Sequence, residues 1–306
     1  MTTAAASAPT REPDPFTLAR PRASWALLPT LGVAGSAFLF FALRIPLPGY
    51  ALLVASLAAA FVLDAFRPGT RQLVDGAPPR TLGPDLLLIG VGIAIVSTTS
   101  VEADVSWPSF VRIGLTLGLA VLVPLLLDRL VYPRFLDRAT GAGRRAIAFP
   151  IRGHRLSRLE LGYIVAVPLL GWAILPFYFI RSGAYLNWPR LEDTGELIRF
   201  FVGVNAVGTW DELFFICTCF ALLRRHLPMW QANLVQTVIF VSFLWELGYR
   251  AWGPLLTIPF ALLQGYLFSR TRSFGYVLIV HLLFDGIVFL AIVHAHHPDW
   301  LPIFVY

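Results

Sequence analysis

Apolar residues come in nine long blocks, separated by short connections that hold most of the charge. The blocks cover about 25–43, 50–66, 84–100, 110–131, 159–180, 197–223, 231–249, 252–269 and 275–295. A helix needs about 20 apolar residues to cross a bilayer. Several blocks reach that, and 50–66 and 84–100 sit at the lower limit. Only helices and closed barrels satisfy their backbone in lipid, and the blocks lack the period-two alternation of a barrel strand. The pattern predicts an all-α fold: a polytopic transmembrane helix bundle of about nine helices, whose last four form a functional core.

Composition closes the soluble alternatives. Of 306 residues, 57% are hydrophobic and only 14% charged, against about 25% charged in a soluble domain. The 24 basic residues are all arginine. In a soluble protein a net charge of +6 would point to nucleic acid; here the arginines punctuate apolar blocks and read as topology signals, so no nucleic-acid partner is expected. With the N-terminus in the cytoplasm, eighteen arginines fall inside: three before the first block, Arg67, Arg71 and Arg80, eight from Arg129 to Arg158, Arg224 and Arg225, Arg270 and Arg272. Six fall outside: Arg44, Arg112, Arg181, Arg190, Arg199 and Arg250. That bias predicts a multi-pass cell-membrane protein with its N-terminus inside and its C-terminus outside. The lipid bilayer is its expected surrounding, and the arginine-rich connection 132–158 is expected to anchor on anionic lipid.

Residues 1–23 are rich in Ala, Pro and Thr, lack an apolar signal core, and are expected to be a disordered cytoplasmic tail. The remaining divisions are N-terminal membrane helices over 24–195, a core over 196–295 and a short tail over 296–306. Cys217 and Cys219 lie two apart in one block and diverge by about 200° on a helix, so they do not bridge each other.

Charge at bilayer depth is costly and marks function by default. In the N-terminal half only Asp64 and the pair Asp128/Arg129 qualify; they lie near cytoplasmic helix ends, where snorkelling or local pairing accounts for them. The C-terminal half holds Asp211-Glu212, Glu246, His281 and Asp285. Glu212 lies about 16 Å from the cytoplasmic end of its block, a depth that overlaps those of His281 and Asp285. His281 and Asp285, four apart, share a helix face. Peptide hydrolysis in a membrane needs a water, a base to activate it and a donor for the oxyanion, and carboxylates beside an imidazole supply these. A structural polar cluster and a metal-binding or ion-coupled membrane protein are the alternatives, although no HExxH spacing supports zinc. No cofactor or metal is expected.

Asp211-Glu212-Leu213-Phe214-Phe215-Ile216 resembles the EExxxR motif of the CPBP (Abi) family, the CAAX prenyl endopeptidases and bacteriocin-processing proteins. His281-Leu282-Leu283-Phe284-Asp285 is similar to the family's last motif, HxxxN/D, and Gln264–Thr271 resembles the segment that precedes it. The resemblance implies a glutamic intramembrane endopeptidase that cleaves a membrane-anchored or prenylated substrate, with a cavity open to the cytosol. It assigns Glu212 as the water-activating glutamate, Asp211 as the acid before it, and His281 and Asp285 as the pair supporting oxyanion and water. Two positions depart from the pattern: the motif arginine is Ile216, and the histidine of the middle FxxxH motif, which starts at Phe240, is Leu244. A catalytically impaired member that binds a membrane partner is therefore a further alternative. Glu246 either turns inward to take over polar work from the missing histidine or pairs with Arg250 at i+4 near the outer interface.

Overall fold

The computed structural model describes residues 25–66, 81–132, 146–151 and 156–304. The expected tail 1–23 and most of the arginine-rich connection 132–158 lie outside the described residues. Within them the chain forms nine main helices, with a short 3-10 turn at Ala184–Asn187, and no strand. They are α1 (Leu27–Ala42), α2 (Pro46–Phe66), α3 (Leu82–Val96), α4 (Trp107–Val131), α5 (Arg158–Arg181), α6 (Thr194–Leu223), α7 (Met229–Leu247), α8 (Pro254–Thr271) and α9 (Phe274–His296). Five of them, α2, α4, α5, α6 and α9, are long and apolar enough to cross a membrane. Leucine, phenylalanine and valine side chains point outward along α2, α4 and α5, among them Leu47, Val54, Leu115 and Leu169. So much exposed apolar surface suits lipid and not water. The chain is a multi-pass helical membrane protein.

Local chemistry sets the helix ends. Ser157 and Glu160 form a reciprocal capping box at the start of α5. Asp193 accepts from the Glu196 amide at the start of α6, and Ser273 from the Tyr276 amide at the start of α9. The Asp64 carboxylate accepts from the Leu82 and Gly83 amides, so it caps α3 from the end of α2. Asp128 accepts from the Ala146 and Ile147 amides. Both N-terminal acids thus satisfy backbone donors, a sharper role than snorkelling; Arg129 stands 3.9 Å from Asp128.

α6 is the central element: 72% of its apolar window is buried, against 17% for α4. α9 packs against both α5 and α6, α7 against α1 and α8, and α3 against α2 and α4. Departures from regular winding in α6 and α7 shape the polar centre of the bundle. From Glu212 to Phe220 α6 winds as a π-helix, a local widening that recurs at functional sites. α7 stops at Gly248, whose φ of 143° only glycine adopts without strain. The Tyr249 amide then bonds back to the Leu244 carbonyl and folds Tyr249 over the helix end.

Candidate active site

The change of winding in α6 separates two adjacent acids. Asp211 is the last α-helical residue and Glu212 the first π-helical one. Glu212 is fully buried and turns toward α8 and α9. Its Oε1 lies 2.6 Å from His281 Nδ1 and accepts a 2.6 Å hydrogen bond from Gln264 Nε2. Gln264 also donates to the Val277 carbonyl at 3.1 Å, which fixes the amide orientation. Because Glu212 engages Nδ1, the other ring nitrogen of His281 faces away from it. Nε2 stands 3.7 Å from both Asp211 Oδ2 and Asp285 Oδ1. That separation is too long for a direct hydrogen bond and suits one bridging water.

Asp211, His281 and Asp285 line a cavity of about 610 Å³; Glu212 does not. Asp211 Oδ1, Asp285 Oδ2 and Glu212 Oε2 are buried without a hydrogen-bond partner among the described residues. Buried polar atoms are normally paired, so unpaired oxygens on a cavity wall mark where water or a ligand binds. The ring of His281 is held edge-on by Phe260 at 5.0 Å and flanked by Phe240 at 6.2 Å. Gly208, one turn before Asp211, makes room for Asp285: a Cβ there would collide with Asp285 Oδ2 and lie 3.2 Å from His281 Cδ2.

Four of the five residues singled out by sequence, Asp211, Glu212, His281 and Asp285, thus converge. Glu246 does not join them. It lies beside Ser100 and Val101 in the α3–α4 connection, close to Arg44 and Glu102. Nor does it pair with Arg250, which instead binds Glu102 at 2.8 Å while Arg44 donates to the same oxygen. The helix runs unbroken to Leu247, so Glu246 stays at the far end of α7 and reaches a neighbouring loop before it reaches α6.

Residues 193–287 match the family model described as type II CAAX prenyl endopeptidase Rce1-like. The match covers about a third of the chain and supports its resemblance to the CPBP family. No curated protein and no solved structure matches it. Leu244, at the position of the family's middle histidine, lies on the wall of the same cavity, and Ile216, at the motif arginine, is fully buried. Three contributors carry no signal that separates them from ordinary core residues in a single sequence: Gly208, Tyr249 and the cavity face of α4. Gln264 has a faint one, a lone amide in an apolar block. Tyr249 is 6% exposed, lines the cavity near Asp211 and Asp285, and makes no side-chain hydrogen bond among the described residues. Its ring is fixed by Trp188, Phe179 and Tyr178.

Proposed function

We propose that the chain is an intramembrane endopeptidase that hydrolyses a peptide bond of a membrane-anchored or prenylated polypeptide with carboxylate-activated water. The observation that carries this reading is the shared wall of Asp211, His281 and Asp285 with its unpaired carboxylate oxygens. The geometry favours Asp211, not Glu212, as the base, because Asp211 reaches the cavity and Glu212 is occupied behind His281. Asp211 takes a proton from a water, whose oxygen attacks the substrate carbonyl carbon. His281, held through Nδ1 by Glu212, directs Nε2 at the developing oxyanion, and the Tyr249 hydroxyl adds a second donor from the cavity wall. The proton passes to the amide nitrogen as the C–N bond breaks, leaving a carboxylate and an amine. Asp285 orients His281 and the water. Glu212 and Gln264 are positioning residues in this scheme.

The test is cleavage of membrane-anchored and farnesylated fluorogenic peptides by pure protein in lipid nanodiscs, followed by mass spectrometry of both fragments. Cleavage that disappears in Asp211→Asn while the variant keeps its melting temperature supports the reading. Equal cleavage by the variant removes Asp211 as the base, and no cleavage by the wild-type protein removes the endopeptidase reading.

Leu244 and Ile216 favour a second reading, a member that binds a membrane partner in the cavity without cutting it. A partner that co-purifies and stays intact with both wild type and Asp211→Asn would establish it. Among the described residues no group of three His, Cys, Asp or Glu side chains is arranged to hold a metal ion, so the geometry gives the metal-binding alternative no support.

A further inference from the structure

Polar contacts continue behind Glu212 and His281, away from the cavity. Asn233 and Gln236 stand on the buried face of α7, and neither they nor Gln264 line the cavity. Gln236 and Gln264 are fully buried, and Asn233 is 5% exposed. The Gln236 amide nitrogen donates to the Ala261 carbonyl and to Asn233 Oδ1 at 3.0 Å, and to Thr237 Oγ1 at 3.1 Å. Asn233 Nδ2 donates to the Leu262 carbonyl at 2.7 Å. Two amides of α7 thus hold two consecutive carbonyls of α8. Gly265 permits the approach, because a Cβ there would collide with Asn233 Oδ1.

The held stretch of α8 is the one that meets the Glu212–His281 pair. Phe260 lies edge-on to the His281 ring, and Gln264 donates to Glu212. Ala261 follows Phe260 directly and precedes Gln264 by three residues, so it shares a face with Gln264. Pro259 has no N–H, and one rung of the helix is missing immediately before Phe260. A helix weakened there keeps Phe260 and Gln264 in register through outside contacts, and the α7 amides supply them.

These amides carry a cost that packing does not explain. Gln236 Oε1 and Gln264 Oε1 are buried without a hydrogen-bond partner among the described residues. Turning either amide over would set its oxygen against the carbonyl it now serves, Ala261 or Val277. The donors are used and the acceptors left over, which lowers stability. An unpaired buried group of this kind calls for a functional reason.

We propose that Asn233 and Gln236 are positioning residues. They clamp α8 so that Gln264 fixes Glu212 and Phe260 fixes the His281 ring, which together aim Nε2 into the cavity. The effect on turnover rests on the endopeptidase reading; the effect on the His281 ring does not.

The first test reads the ring directly. Protein with isotope-labelled histidine nitrogens is placed in nanodiscs, and the His281 signal is assigned by its loss in His281→Gln. Gln236→Met keeps the side-chain length and removes the donor, so it should move that signal, as should Gln264→Met. Leu234→Met, on the exposed face of α7, should not. If Gln236→Met does not fold, Asn233→Leu removes the other donor and is read in the same way. A signal left in place by the clamp variant overturns the inference. The second test is steady-state cleavage. Gln236→Met should lower kcat about two- to tenfold, the scale of one neutral hydrogen bond, with KM and melting temperature nearly unchanged. In a Gln264→Met background the same substitution should lower kcat by less, because part of its effect runs through Gln264. Fully additive losses overturn the clamp, and an unchanged kcat reduces the amides to glue between helices and overturns it as well. No cleavage by the wild-type protein removes the endopeptidase reading, and the ring signal alone then decides the inference.

Discussion

The two neighbouring acids of α6 should fail in different ways, and by different amounts. Asp211→Asn removes the only α6 carboxylate that reaches the cavity. Loss of a positioned general base costs about 10²- to 10⁴-fold, so turnover should fall by at least about 100-fold. Glu212→Gln keeps the side-chain length and an acceptor oxygen for His281 Nδ1 or Gln264 Nε2. What it loses is charge assistance in two 2.6 Å hydrogen bonds. A charged hydrogen bond contributes about 1.5–3 kcal/mol and a neutral one about 0.5–1.5, so the change weakens the hold on His281 by roughly 1–2 kcal/mol. If that reaches the transition state in full, turnover falls by about five- to thirtyfold. The assay is single-turnover cleavage of an anchored peptide in nanodiscs, which separates chemistry from product release. Thermal unfolding of each variant excludes collapse of the fold. The motif ranking, which puts Glu212 first, predicts the opposite order. If Glu212→Gln loses as much as Asp211→Asn or more, with both variants folded, the assignment of Asp211 as base is wrong.

Gly208→Ala should lower turnover by about tenfold or more, because its methyl group collides with Asp285 Oδ2 and the carboxylate must turn away from its place beside His281; a folded Gly208→Ala protein with normal turnover would show that Asp285 is not needed where it stands. Tyr249→Phe keeps the ring packing and removes one donor, so kcat should drop about 10- to 100-fold with little change in KM; an unchanged kcat removes Tyr249 from the oxyanion site. Glu246→Gln should leave turnover within about twofold, since its contacts are with the α3–α4 connection, and a loss of about 100-fold, the scale of a lost general base, would return Glu246 to the reaction. The Arg44 guanidinium holds the Glu102 carboxyl below the usual carboxylate range, with Arg250 assisting. A depressed carboxylate stabilises above its unfolded pKa, and that contribution is lost as pH falls through the folded one. Melting temperature should therefore drop on acidification below about pH 4, and Glu102→Gln should flatten the drop; the effect is about 0–1 kcal/mol because the pair is half-exposed. A pH profile identical in wild type and variant would show that the pair contributes nothing.

Block length and the absence of period-two alternation were enough to determine nine helices, because a chain in lipid must close its own backbone bonds. The five intramembrane ionisable residues were legible for the same reason: a charge at that depth stands out against an apolar background. The spacing of His281 and Asp285 put them on one face, and depth counting put Glu212 level with them. What residue spacing cannot carry is rotation. Whether Asp211 or Glu212 faces the cavity depends on where α6 changes from α to π winding, and that depends on its packing against α8 and α9. Gln264 meets Glu212 across 52 positions of sequence, and Gly208 acquires meaning only because Asp285 on another helix needs its missing Cβ. Glu246 reads as a candidate by type and depth alone, and only the approach of the α3–α4 connection gives it other partners. The walls of the cavity were decided at the same level: which residues line it depends on how α4 leans against α6, a packing outcome that no local pattern encodes.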